Sequence, residues 1–211
     1  IRNSNTIMLA ALIEQQGGEA IPLEIAPDQP QTIRERFQEA VRLEVDLIIT
    51  SAGVSVGAYD FVRTVIEEDG HLNFWRVNMR PGKPVAFGMY QGTPVVGLPG
   101  NPVSAFVGFQ VFVLPVLWRL SGLTKPWKKL IRAALTHPIE SDGRESYLRA
   151  VVRSENDQLK VTLTGQQGSG NLFSLVHANA LLILPAGVKS LPDGFKVDLI
   201  LLKDDIEQTI A

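Results

Sequence analysis

Cysteine is absent from the 211 residues, which excludes a disulfide framework, a thiolate nucleophile and a Cys-ligated zinc or iron–sulfur centre. Histidine is scarce: His71, His137 and His177 stand far apart and form no metal-spaced motif. Neither sign of charge dominates. Twenty Lys and Arg against 22 Asp and Glu leave a net charge of −2, which argues against a general nucleic-acid or polybasic membrane binder. There is no internal repeat and no low-complexity tract. No basic segment followed by an apolar core and a cleavage site opens the chain, so export is not signalled and a cytoplasmic protein is the expectation. Long apolar runs are lacking too, with one exception: residues 103–120, charged only at Arg119. Gln110 and Pro115 inside that run, and the Pro-Gly-Asn-Pro turn before it, predict a helix buried in a domain or a subunit interface rather than a membrane span.

What is present suffices for a real core. The chain is 45% hydrophobic, and a chain of this size buries about 70% of its unfolded surface. The first 120 residues or so alternate helix and strand patterns, which predicts a layered α/β domain. Asn3-Ser4-Asn5 offers cap residues for a helix carrying Ile7, Leu9, Leu12 and Ile13, which Gly17-Gly18 should stop. Residues 20–25 read as a short strand. Residues 32–45 read as a helix with Ile33, Phe37, Val41 and Val45 on one stripe. Asp46–Thr50 is an apolar run of the kind a doubly buried parallel strand requires. A helix is expected over 59–68, strands over 72–78, 84–89 and 94–98, then the long apolar helix. Beyond a polar joint at 122–129 the pattern turns β-rich, with strands expected over 131–135, 147–154, 160–164, 181–184 and 196–202 and no amphipathic helix. The prediction is two domains: residues 1–125, α/β, and 126–211, a small all-β barrel or sandwich.

Three segments could carry chemistry. Thr50–Asp60 lies between a buried strand and a helix, where ligands of open α/β sheets bind. Gly53 and Gly57 allow close backbone approach, Ser51 and Ser55 add hydroxyls, and the following helix directs N–H groups at a phosphate. Asp60 beside a phosphate makes sense where Mg²⁺ bridges the two; otherwise it serves only the helix dipole. Arg80-Pro-Gly-Lys83 presents two cations stiffly, with Arg76 four residues earlier able to join them, or else is a solvated turn. Gly97–Ser104 repeats the strand, Gly-rich turn and helix N-terminus, with Asn101 suited to the N-cap and Pro102 to the first helical position. In the β-rich half, Thr164–Gly170 is a turn with side-chain donors and Arg149 lies on a predicted strand. No Ser–His or twin-carboxylate dyad can be assembled, so positioning and electrostatics would carry the catalysis.

Together SAGVSVG at 51–57 with Asp60, PGKP at 81–84 and GLPGNPVS at 97–104 resemble the molybdopterin molybdenumtransferase family (MoeA and the E domain of gephyrin). Asn3-Ser4-Asn5 and TGQQGS at 164–169 are similar to further landmarks of it. The resemblance covers essentially the whole chain but only the C-terminal half of the family's usual protein. It implies a MogA-like three-layer molybdopterin-binding domain followed by a β-barrel-like domain, in a homodimer. The implied reaction inserts molybdate into adenylylated molybdopterin with Mg²⁺ and releases AMP; no nucleic-acid or membrane partner is implied. It implies that Arg80, Lys83, Arg149 and Ser169 bind molybdate, that Asp60 meets adenylate and metal, that Asp28 is a second important acid, and that Pro99 and Pro102 shape the turn. Ser51, Gly53, Ser55, Gly57, Gly97, Pro99, Gly100, Asn101, Pro102 and Ser104 become the expected molybdopterin and AMP contacts. Arg76 and Arg80 stand where bacterial relatives often have lysine, so a planar fork replaces a point donor. Ala52 replaces a commoner glycine, a mild change while its φ stays negative. The family usually carries two domains upstream that contribute to the active site; the strand expected just before Asn3 is missing, so a fragment slow in turnover is the expectation. Two rivals are a MogA-type adenylyltransferase, which the β domain and PGKP turn disfavour, and a gephyrin-like scaffold that binds peptides.

Overall fold

A computed structural model describes residues 3–53 and 61–202. The chain divides into two compact units, Ile1–Val77 with Gly82–Pro126, and Asn78–Pro81 with Trp127–Ala211.

In the first unit, α1 spans Ser4–Glu14, with the Asn3 side chain accepting from the Thr6 N–H at 3.2 Å. Its end is set by Gly17 at φ +80°, which lets the Gly18 N–H reach the Ile13 carbonyl at 3.1 Å. Residues 20–25 form no strand and pair with no described strand, which corrects the predicted strand: without a ladder partner, strand-forming side chains do not make one. Next come α2, Pro30–Arg42, and β1, Ile48–Ser51. The helix stops short of the predicted Val45 because Glu44 turns left-handed at φ +52°, and the Val45 N–H closes back onto Ala40. Then follow α3, Phe61–Asp69, and β2, Gly70–Arg76. Strand β3, Met79–Arg80, belongs to the second unit. The chain returns with β4, Pro84–Tyr90, and β5, Thr93–Leu98.

The sheet order is β1-β5-β4-β2, with β1 parallel to β5 and both flanks of β4 antiparallel. Strand alternation sends Ile48, Ala86, Tyr90 and Val95 to one face, under Ile33 and Phe37 of α2 and Val62, Val65 and Ile66 of α3. Ile49, Phe87, Val96 and Leu98 face the other way, under Leu9 of α1 and the long apolar helix. Helix, sheet, helix: the unit has three layers. The apolar helix is α4, Pro102–Gly108, a π-turn over Phe109–Val113, and α5, Leu114–Leu120. The π-turn passes the Leu114 N–H to the Phe109 carbonyl just before Pro115, whose ring would crowd an ordinary α-turn. By length and composition this helix could cross a membrane, yet half of its most apolar window is buried against the sheet.

The second unit is a closed barrel. Its strands are β6, Leu130–Leu135; β7, Ile139–Glu140; β8, Glu145–Glu155; β9, Gln158–Leu163; β10, Ala180–Leu184; β11, Ser190–Leu191; and β12, Lys196–Leu201. The order β10-β12-β6-β9-β8 closes through a β10–β8 pairing, β3 adds parallel to the start of β8, and β7 with β11 forms a separate ribbon. The eleven-residue β8 makes closure possible, pairing β10 over Ser146–Ala150 and β9 over Ala150–Glu155. A two-residue turn, Asn156-Asp157 with both φ positive, joins β8 to β9, the primed-turn signature of a tight hairpin. Alternate residues fill the interior, among them Leu148, Ala150, Val152, Val161, Leu182, Leu184, Val197 and Leu199. One short helix, α6 over Phe173–His177, stands where no helix was expected.

Candidate functional site

The first unit gathers its candidate residues at one end of its sheet. Strands β1, β5 and β2 finish there and β4 begins there, so the end carries Ser51–Gly53, Pro99–Asn101, and Arg76 paired with Pro84 beside Lys83. Lys83 is exposed there, and Asp28 is exposed in the loop two residues before α2.

Two loops at this end are built against each other. The Ala52 N–H donates to the Leu98 carbonyl at 3.0 Å, and a Cβ on Gly100 would sit 3.1 Å from the Ala52 Cβ. A Cβ on Gly53, itself at φ +76°, would meet Val62 Cγ2 at 2.6 Å, so only glycine fits. Ala52 has φ +79°, not the negative value expected of it; alanine holds a left-handed conformation there at a cost of about 1 kcal/mol. Asn5 ties the loops from the first turn of α1. Its Nδ2 donates to Ser51 Oγ at 2.6 Å and to the Gly100 carbonyl at 2.9 Å, and Ser51 Oγ donates on toward Pro99 O at 3.5 Å. Pro102 opens α4 as expected, and Gly97 and Ser104 are buried behind the turn. Asn101 has the extended backbone of an N-cap, but its side chain makes no capping hydrogen bond, a correction to the simple capping role. Arg76 does not stand as a free cation: its guanidinium lies 4.1 Å over the Trp75 ring, with that of Arg63 4.3 Å from the same ring. Ser55, Gly57 and Asp60 lie outside the described residues.

In the second unit the chemistry centres on Arg149, on β8, whose side chain is fully buried at 0% exposure. The segment from Thr164 to Ser174 wraps it. Gln167 brackets its backbone, accepting from the Arg149 N–H at 2.9 Å and donating to its carbonyl at 3.1 Å. The guanidinium donates from Nε to Ser174 Oγ at 3.0 Å and from Nη2 to the Gly168 carbonyl at 3.0 Å. Every one of these acceptors is neutral, and Nη1 is buried with no partner. Burial, then the neighbouring Arg80, pull its pKa below the ordinary arginine value. A buried cation with a spare donor and no carboxylate is an anion site in waiting. Ser169 follows Gly168 directly and is half-buried.

Arg80, on β3 beside Ser146, was expected in a turn free of carboxylates; instead Nη1 faces Asp142 Oδ2 at 3.4 Å. Asp142 belongs mainly to Arg144, at 2.5 Å, and that guanidinium with the Arg144 N–H holds its carboxyl down to about 2. Tyr147 donates to Glu145 at 2.8 Å, and burial keeps its phenol protonated well above the usual range. Among the described residues no three His, Cys, Asp or Glu side chains gather to hold a metal.

Sequence reasoning missed Asn5 as a bridge, Ser174 as an arginine ligand and Asp142 as a partner of Arg80. Only Asn5 left a signal, an asparagine two positions inside a helix already capped by Asn3.

Two family models match: "Probable molybdopterin binding domain" over residues 1–119 and "MoeA C-terminal region (domain IV)" over residues 132–202. The chain is 36% identical to a molybdopterin molybdenumtransferase of a Nostoc species over 201 residues, 92% of this chain and 46% of that protein. It is 37% identical to one from Haemophilus influenzae over 188 residues, 87% of this chain and 46% of that protein. Among solved structures it is similar to a MoeA protein from Pyrococcus horikoshii, with a TM-score of 0.78 at 31% identity over 97% of this chain and 49% of the other. The chain thus spans about half the length of the curated relatives it matches.

Proposed function

The chain belongs to the molybdopterin molybdenumtransferase family, and from that premise we propose that it acts in molybdenum cofactor biosynthesis, inserting molybdate into adenylylated molybdopterin with release of AMP. The observation that carries this reading is Arg149: a fully buried guanidinium, held by neutral acceptors, with Nη1 unspent. Molybdate is a tetrahedral dianion, and a donor pre-oriented in a dry setting binds such an oxyanion strongly because nothing needs rearranging when it arrives. Arg80 and Ser169, in the same unit, are the further oxyanion contacts of this reading.

The paired loops of the first unit are proposed to take the phosphates. Backbone N–H groups around Gly53 and Gly100 would receive the bridging oxygens, with Lys83 as the cation at the same end and Asp28 as the second charged contact of this reading. Cleavage of the adenylate breaks one P–O bond of its phosphoanhydride: the hydroxyl of water goes to the attacked phosphorus and its remaining proton to the leaving phosphate oxygen, which gives AMP and the pterin phosphate. Mg²⁺ belongs to the reading through Asp60, where it would neutralise phosphate charge. A cytoplasmic homodimer completes the proposal. The match of residues 132–202 to the MoeA C-terminal region disfavours a MogA-type adenylyltransferase.

Molybdate titration by calorimetry tests the reading. We expect oxyanion binding that weakens as salt rises, and a loss of about 100-fold, roughly 3 kcal/mol, in Arg149→Met, with a smaller loss in Arg80→Met. Unchanged molybdate affinity in folded Arg149→Met overturns it, and peptide binding without any anion response favours the scaffold instead.

A further inference from the structure

Asn5 does more than tie two loops. It is 8% exposed, and both amide hydrogens of its Nδ2 are spent, on Ser51 Oγ and on the Gly100 carbonyl. Because a carbonyl can only accept, the Gly100 contact fixes which way round the amide lies. The Oδ1 is therefore the other terminus, and it is buried with no donor of any kind. Native proteins seldom leave such an oxygen unmet unless something arrives to meet it. The surroundings narrow what that is. Oδ1 stands beside Ser51 and Gly100, at the end of the parallel pair β1 and β5, where both loops emerge. An amide oxygen repels phosphate and accepts only from an N–H or O–H, and on adenylylated molybdopterin those donors are uncharged groups.

We propose that Asn5 is a positioning and recognition residue: Nδ2 locks the Ser51 and Gly100 loops together, and Oδ1 accepts a hydrogen bond from a neutral donor on the substrate, either a ribose hydroxyl of the adenylate or an N–H of the pterin. This rests on the reading of the first unit as the adenylylated-molybdopterin site. It assigns the residue a job that a helix cap or loop staple alone does not have, namely discrimination between ligands that carry the donor and ligands that lack it.

The test compares wild type and Asn5→Ala for binding of AMP, 2′-deoxy-AMP, 3′-deoxy-AMP and pterin-6-carboxylate, with thermal midpoints measured alongside. If the donor is a ribose hydroxyl, AMP binding weakens about tenfold in the variant, and the preference of wild type for AMP over one deoxy analogue disappears. If it is the pterin, pterin-6-carboxylate weakens instead and AMP does not. A stapling role alone lowers the thermal midpoint and moves none of these ratios, which overturns the proposal. Should Asn5→Ala fail to fold, wild type labelled with ¹⁵N-asparagine gives the answer: the Asn5 side-chain amide must shift on saturation with AMP or with the pterin, and its failure to move with either overturns the inference. Wild type that binds neither compound sinks both this inference and the enzymatic reading. Wild type that binds while Asn5 is indifferent sinks this inference alone.

Discussion

Two charges in the barrel unit meet opposite fates. Arg149 is buried among neutral acceptors, whereas Asp142 sits at the surface between Arg144 and Arg80. The Arg144 guanidinium, then its backbone N–H, favour the Asp142 carboxylate and lower its pKa to about 2. A carboxylate lowered from an ordinary value of about 3.9 stabilises the folded state above pH 4 or so, and that help is lost as pH falls through the folded value. Wild type should therefore melt above Asp142→Asn by a constant margin at pH 5 to 8, the margin closing between about pH 4 and pH 2. Thermal scans across that range check it, and an equal margin at pH 2 and pH 7 contradicts it. Arg149 was legible as a strand residue, and Thr164–Ser169 as a turn rich in donors. That the turn folds over the arginine and leaves one nitrogen unspent was not, because Gln167, Gly168 and Ser174 lie beyond the end of the β8–β9 hairpin, 18, 19 and 25 positions from Arg149, and meet it only through the path of the loop in the folded unit.

Two helices end at glycines that the sequence displays. Gly17 and Gly122 each take positive φ and close the last turn of α1 and α5, as glycines after an apolar stripe should. Residues 20–25 show the converse, since a strand needs a neighbour and composition cannot supply one. The helix over Pro102–Leu120 was visible as an apolar run, but its π-turn was not. Inside that turn Gln110 is buried and its Oε1 has no hydrogen-bond partner. Gln110→Leu keeps the volume and removes the orphaned carbonyl, so we expect a gain of about 1 kcal/mol. Urea unfolding would show it as a higher midpoint at an unchanged slope. A lower midpoint would mean that the amide is held by something the single chain does not contain.

At the scale of the molecule, the barrel interior and the two layers around the α/β sheet share no core residue. Each unit thus carries its own cooperative core, and calorimetry should resolve two transitions. Leu182→Ala, deep in the barrel, should lower one of them by about 2–5 kcal/mol and leave the other in place. A single transition that moves as a whole rejects that independence.

By itself the sequence determined the alternation of strand and helix, the change to β-structure after residue 122, the two Gly-rich turns at strand ends and the family resemblance they carry. These are local properties, written in periodicity, turn residues and spacing. Tertiary structure alone decided that residues 78–81 join the barrel unit, that Asn5 spans two loops with an oxygen to spare, and that Arg149 is enclosed without a carboxylate. Each of those depends on which side chains arrive from far along the chain, and the free energy of burying a polar atom is set by those arrivals, not by its neighbours in sequence.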